Sequence, residues 1–136
     1  MQKGIMDKLN KILASIAFLF SLIIYIMTMA PTTSFWDCGE FIATSIIMGV
    51  PHPPGTPFYL LLGNFFSQLP TFSDIGARVN LISPIFSAFA VMFLYLIIVQ
   101  LIEEWRGKAK NFSDVLITYG SAIIGAFTFA FTDSHW

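Results

Sequence analysis

Three long stretches without a single charged residue constrain this chain more than any other feature: residues 12–30, 81–102 and 115–131. At about 1.5 Å per residue, the first two, of roughly 19 and 22 residues, are long enough as helices to cross a hydrocarbon core of about 30 Å. The third, of roughly 17, sits at the short end of the spanning range. Pro84 falls in the first turn of the second stretch, where a missing N–H costs little. Asn111, Ser113 and Asp114 precede the third stretch as helix-start residues. Only 11% of the residues are charged, against roughly a quarter in soluble domains, and the apolar residues come in blocks instead of amphipathic periods. A soluble globular domain is therefore excluded, and an all-α membrane protein is predicted. The first stretch resembles a signal peptide in its basic start (Lys3, Lys8, Lys11) and small residues at Thr28-Met29-Ala30. It is longer than the usual h-region, however, and Pro31 would follow the cut, so it is read as a span.

The basic residues set an orientation. Lys3, Lys8 and Lys11 precede the first span, and Arg106, Lys108 and Lys110 follow the second, whereas the intervening loop carries only Arg78. The positive-inside rule then places the N-terminus and residues 103–114 in the cytoplasm and residues 31–80 outside. The third span returns to the outer side and brings Asp133 and His135 there. Within the outer loop, residues 38–50 and 58–69 are apolar but too short to span, and read as two helices lying in the interface. Phe35, Trp36, Phe58, Tyr59, Phe65 and Phe66 suit the headgroup zone, and Pro51, Pro53, Pro54 and Pro57 break the path between the helices. A re-entrant hairpin is the alternative. The whole of 1–136 reads as one polytopic domain, with Gly120, Ser121 and Gly125 permitting close helix packing in the third span. A formal net charge of −1 and the lack of a basic stripe exclude a nucleic-acid partner. A single cysteine, Cys38, forms neither an intrachain disulfide nor a cysteine metal cluster.

Ionisable groups that could do chemistry gather in residues 34–57. Asp37 and Glu40 are three apart, which on a helix puts both carboxylates on one face at its first turn. Asp37 as N-cap with Glu40 at N3 is an acidic capping box; a carboxylate so positioned is also a candidate general base. Desolvation would raise its pKa and backbone N–H bonds would lower it, which leaves the net shift open. Four prolines around His52 present its imidazole on a stiff segment, suited either to a preorganised site or to a turn at the wet interface. Asp37, Glu40 and His52 together could bind a divalent cation, although their spacing matches no compact ligand motif and no metal is assigned. Arg78, with Asn80 beside it, could hold a phosphate bidentately or snorkel to the headgroups.

Ser-Phe-Trp-Asp-Cys-Gly-Glu-Phe at 34–41, Gly-Val-Pro-His-Pro-Pro-Gly-Thr-Pro at 49–57 and Ala-Arg-Val-Asn at 77–80 resemble the N-terminal part of a family of GT-C-type membrane glycosyltransferases. This family was long catalogued as a domain of unknown function; it includes a eukaryotic transmembrane protein O-mannosyltransferase and many bacterial members. The resemblance implies an inverting protein O-glycosyltransferase, O-mannosyltransferase-like. It would move a sugar from a polyprenyl-phosphate donor to Ser or Thr of a protein acceptor, among membrane lipids on the outer face, in bacteria of the inner membrane. By the same resemblance Asp37 is the base, with Glu40 second, and His52 and Arg78 are donor-phosphate or positioning groups; Asn80, Asp133 and His135, by their place at the outer surface, are further candidates for substrate or donor binding. Family members have more spans than three, and residues 131–136 resemble the start of a second outer motif, so a truncated and by itself inactive fragment is expected. Two other classes are a transporter fragment and a small non-catalytic membrane subunit. The former predicts carboxylates inside spans, and residues 12–30 and 81–102 contain none.

Overall fold

A computed structural model describes residues 2–132, and the regular structure among them is helical. The elements are α1 (Gln2–Thr28), α2 (Cys38–Ile47), α3 (Pro57–Ser67), α4 (Ile75–Asn80), α5 (Ile82–Arg106), α6 (Phe112–Val115), a π-helical turn (Leu116–Gly120) and α7 (Ser121–Ala130). Three helical stretches are long and apolar enough to cross a membrane: Gly4–Thr28, Ile75–Arg106 and Phe112–Ala130. These are the three expected spans, each extended at its N-terminal end, although the first and third stop one or two residues short of the expected C-terminal bound, and the chain is a membrane protein. The second differs most from expectation, since it begins at Ile75, where the Asp74 side chain caps the helix by accepting from the Ala77 N–H at 3.0 Å. It is interrupted at Leu81. Pro84 explains the break, because it offers no N–H to the carbonyl four residues back and its ring crowds that carbonyl, which belongs to Asn80. Asn111 opens the third stretch as expected, its side chain accepting from the Asp114 N–H at 2.9 Å.

The residues divide into two compact units, 1–25 with 86–136, and 26–85. In the first, a core of Ala14, Tyr25, Ala88, Val91, Tyr95, Val99, Tyr119, Ala122, Ala126 and Ala130 is built on small side chains that let helices approach. Ala122, Ala126 and Ala130 are fully buried and recur every four residues, forming one face of α7. Of the small residues expected to serve this purpose, only Gly125 meets a neighbour, a Cβ there lying 3.0 Å from Ile98 Cδ1, whereas Gly120 faces open space and Ser121 is exposed. The Tyr25 hydroxyl donates to the Ala130 carbonyl at 2.7 Å and satisfies one of the orphan acceptors at the end of α7.

The second unit packs α2 against α3 and α4 around Ile42, Val79 and Ile82, with Cys38, Tyr59, Leu62 and Phe66 around them. Helices are present where the two short ones were expected, as α2 and α3. Their crossing is close because Gly63 has no side chain: a Cβ there would lie 2.7 Å from Ser45 Cβ. The Asn64 amide of α3 donates to the carbonyls of Ser45 (3.0 Å) and Ile46 (3.2 Å), and so satisfies acceptors that α2 leaves open at its C-terminus. Gln68 holds that amide by donating to Asn64 Oδ1 at 2.8 Å. Removing the amide with Asn64→Ala is expected to cost about 1 kcal/mol. Hydrogen exchange should then accelerate in the last turn of α2, and unchanged protection there would refute the capping role.

Candidate active site

The chain enters α2 through a strained turn. Trp36 has φ 61°, a left-handed conformation unusual for a bulky side chain. Its indole is 93% exposed, and Phe35 beside it is 87% exposed. Asp37 occupies the N-cap position at φ −79° and ψ 7°, but its side chain makes no capping bond. The turn is held from another direction by Asn80. Its amide donates to the carbonyls of Ala30 (3.0 Å) and Thr32 (2.8 Å), and its Oδ1 faces Cys38 Sγ at 3.7 Å.

Glu40 does not reach back to close a capping box as the spacing suggested. One carboxylate oxygen accepts the backbone N–H of His52 at 2.8 Å, and the other faces His52 Nδ1 at 2.8 Å. The segment carrying His52 is shaped by a cis Pro53–Pro54 bond and by Gly55 at φ 73°, whose N–H donates to the His52 carbonyl at 3.1 Å. Aromatic rings support the imidazole: Phe41 lies 5.8 Å from it centroid to centroid, and Tyr59 packs edge-on against Phe41 at 5.8 Å. The hydrogen bond to Glu40 raises the His52 pKa above its ordinary 6.5, with the charges of Glu40 and then Asp37 adding to it. The same bond, then that from the His52 N–H, lowers the Glu40 pKa below 4.5.

The sign of the pH dependence follows. His52 contributes stability that is fully present below its unfolded pKa and is lost as pH rises through its raised folded value; Glu40 contributes stability that is lost as pH falls through its lowered value. The pair is therefore fully ionic between about pH 4.5 and 6.5, and extends above that window. NMR titration of His52 should give a midpoint above 6.5, and Glu40→Gln should bring it back toward 6.5. A midpoint insensitive to that substitution would rule out the pairing.

Among the described residues Asp37 makes only a loose ion pair with His52. Its Oδ2 lies 3.9 Å from His52 Nε2, too far for a hydrogen bond, and the side chain is 59% exposed. Asp37, Glu40 and His52 each offer a ligand atom within 4.8 Å of the others, all exposed, and could hold a divalent cation only if the proton on the ring nitrogen used were displaced. Of the remaining residues expected in the site, Arg78 donates from Nε to the Phe72 carbonyl at 2.6 Å and from Nη1 to the Ser67 carbonyl at 3.3 Å. Its guanidinium thus secures the α3–α4 connection, as Asn80 secures the entry to α2. Among the described residues neither bonds to Asp37, Glu40 or His52. Asp133 and His135 lie outside the described residues. Phe41 was missed as a support; its position directly after Glu40, one turn beyond Asp37, was the available signal.

The model of the Protein O-mannosyl-transferase TMEM260 N-terminal domain matches residues 37–136. A relative named Protein O-mannosyl-transferase tmem260, from Dictyostelium discoideum, is 32% identical over 93 residues, which covers 66% of this chain and 11% of the relative. One from Mus musculus, Protein O-mannosyl-transferase TMEM260, is 33% identical over 96 residues, covering 71% of this chain and 13% of the relative. No solved structure matches. The chain thus spans only a small part of the length of these relatives, and the matched region contains Asp37, Glu40 and His52 in full. By that match, extending over most of its length, the chain belongs to the Protein O-mannosyl-transferase TMEM260 N-terminal domain family.

Proposed function

We propose that this chain supplies the acceptor side of the active site of a GT-C-like protein O-mannosyltransferase, with Asp37 as general base. The observation that carries this reading is the asymmetry of the two carboxylates. Both oxygens of Glu40 are occupied by His52, whereas Asp37 is exposed and free of the helix N–H groups it might have capped. In the reaction, the Ser or Thr hydroxyl oxygen of the acceptor forms a bond to the anomeric carbon of mannose while the bond from that carbon to the donor phosphate breaks. The hydroxyl proton passes to Asp37, and the polyprenyl phosphate leaves with the bonding electron pair. Glu40 acts through His52, fixing the ring and keeping a positive charge near the base.

Distance alters the role of His52. In an inverting displacement the groups serving the nucleophile and the leaving group stand on opposite faces of the sugar, about 6.5–9.5 Å apart in enzymes that use two carboxylates. His52 Nε2 and Asp37 Oδ2 are 3.9 Å apart. They belong on one side of the anomeric carbon, so we assign His52 to the acceptor and the leaving phosphate to groups outside this cluster. Arg78 is a weaker choice, since two of its five N–H groups hold backbone carbonyls. We retain the outer face for the site from the distribution of Lys and Arg. Both named relatives are eukaryotic, so a bacterial inner membrane has no support.

The test is the order of effects in a full-length enzyme carrying this segment. Substitution of Asp37 should cost more transfer from polyprenyl-phosphate mannose than Glu40→Gln, which should shift the pH profile through His52. The reverse order would move the base to Glu40 and overturn the assignment.

A further inference from the structure

The connection between α5 and α6 encloses a polar cavity that the proposed transfer chemistry does not use. Its volume is about 200 Å³, and Arg106, Lys108, Lys110, Asp114, Ile117 and Thr118 line it. Three of the chain's seven Lys and Arg residues thus face one space against a single carboxylate. That carboxylate is partly engaged, as Asp114 Oδ2 accepts the Lys110 N–H at 3.1 Å. Gly107 at φ 84° turns the chain directly after α5, which allows Arg106 and Lys108 to converge. Among the described residues Lys108 has two loose ion pairs, 3.7 Å to Asp7 Oδ1 and 3.9 Å to Glu103 Oε2.

A second observation concerns the floor. Thr118 is 3% exposed and lines the cavity. It sits in the π-helical turn Leu116–Gly120, a deformation that recurs at functional sites because it redirects side chains and carbonyls. Trp105 at the end of α5 is 89% exposed and Phe112 at the start of α6 is 75% exposed. Exposed aromatics at the ends of two spans mark headgroup level. A cavity this small lies below the range of about 300–1,000 Å³ that takes whole metabolites, but it suits one tetrahedral, multiply charged group.

We infer that this cavity binds the phosphate monoester headgroup of an anionic membrane lipid. The Arg106 fork and the Lys108 and Lys110 ammonium groups would meet the phosphate oxygens, with the Thr118 hydroxyl donating from below. Basic pockets beside transmembrane helices recognise lipid phosphates by this chemistry, and each cation near the surface strengthens binding.

The 136-residue chain in phosphatidylcholine nanodiscs doped with fluorescent phosphatidic acid should retain phosphatidic acid in preference to phosphatidylcholine. Arg106→Gln and Lys110→Gln should each weaken retention roughly fivefold, and Thr118→Val should weaken it with no change in charge. Lys8→Gln removes a charge outside the cavity and should leave retention unchanged. Equal retention of the two lipids, or an equal loss in Lys8→Gln, would overturn the site. Displacement by inorganic phosphate as effective as that by phosphatidic acid would overturn the lipid assignment and leave a free-phosphate site.

Discussion

Asp37→Asn, in a full-length enzyme that carries this segment, is expected to lower mannose transfer by about 10²–10⁴-fold, the usual contribution of a positioned general base. The substitution keeps the shape of the side chain and removes its basicity. Asn serves as well as Asp at a helix N-cap, and Asp37 makes no side-chain capping bond to lose, so α2 should start as before. Membrane insertion and a raised His52 titration should both persist, since Glu40 dominates the His52 shift. With those two controls in place, a drop in rate reports loss of the proton acceptor. Full activity with both controls intact would remove Asp37 from the mechanism.

The second large effect is structural. Gly63→Val should destabilise residues 26–85 by about 1–3 kcal/mol, the range for overpacking, and toward its upper end. A Cβ at 63 would lie 2.7 Å from Ser45 Cβ, an atom fixed to the backbone of α2, so relief requires the helices to part. Intrinsic propensity works the other way, Val being a slightly better helix former than Gly, so a loss of stability would isolate the packing effect. Ser45→Gly should rescue the variant because it removes the opposing Cβ, whereas Ser45→Ala should not. Tyr59 of α3 supports Phe41 of α2, which in turn supports His52, and parting of the helices would therefore also loosen the site. Thermal denaturation in detergent, followed by tryptophan fluorescence, would read the shift; an unchanged midpoint for Gly63→Val would contradict the close crossing.

Much of the architecture was legible in the sequence. The spans follow from long runs that are both uncharged and continuously apolar, and α2 and α3 from apolar runs too short to cross, separated by prolines. Asp37, Glu40 and His52 were picked out because polar groups are scarce beside long apolar runs. Less legible were contacts that depend on geometry across the fold. Nothing in the spacing distinguishes an N3 glutamate that closes a capping box from one that reaches twelve residues ahead to an imidazole. Arg78 and Asn80 drew attention as polar residues at the outer end of a span, yet their side chains bond to backbone carbonyls at 67, 72, 30 and 32. Those acceptors belong to connections with no pattern of their own. The packing face of α7 was legible only in part: Gly125 meets Ile98 as expected, but Gly120 and Ser121 do not pack, and three alanines line the buried face.

By itself, then, the sequence determined that this is a helical membrane protein, with a polar cluster between its first two spans and a motif that identifies its family. Those properties are carried by local composition and periodicity, which act through the hydrophobic effect along one helix at a time. Only the tertiary structure decided which carboxylate hydrogen-bonds to His52. The proline-bounded turn swings His52 onto Glu40, leaving Asp37 exposed and 3.9 Å from Nε2, and a hydrogen bond is satisfied by position in space and not by position in the chain.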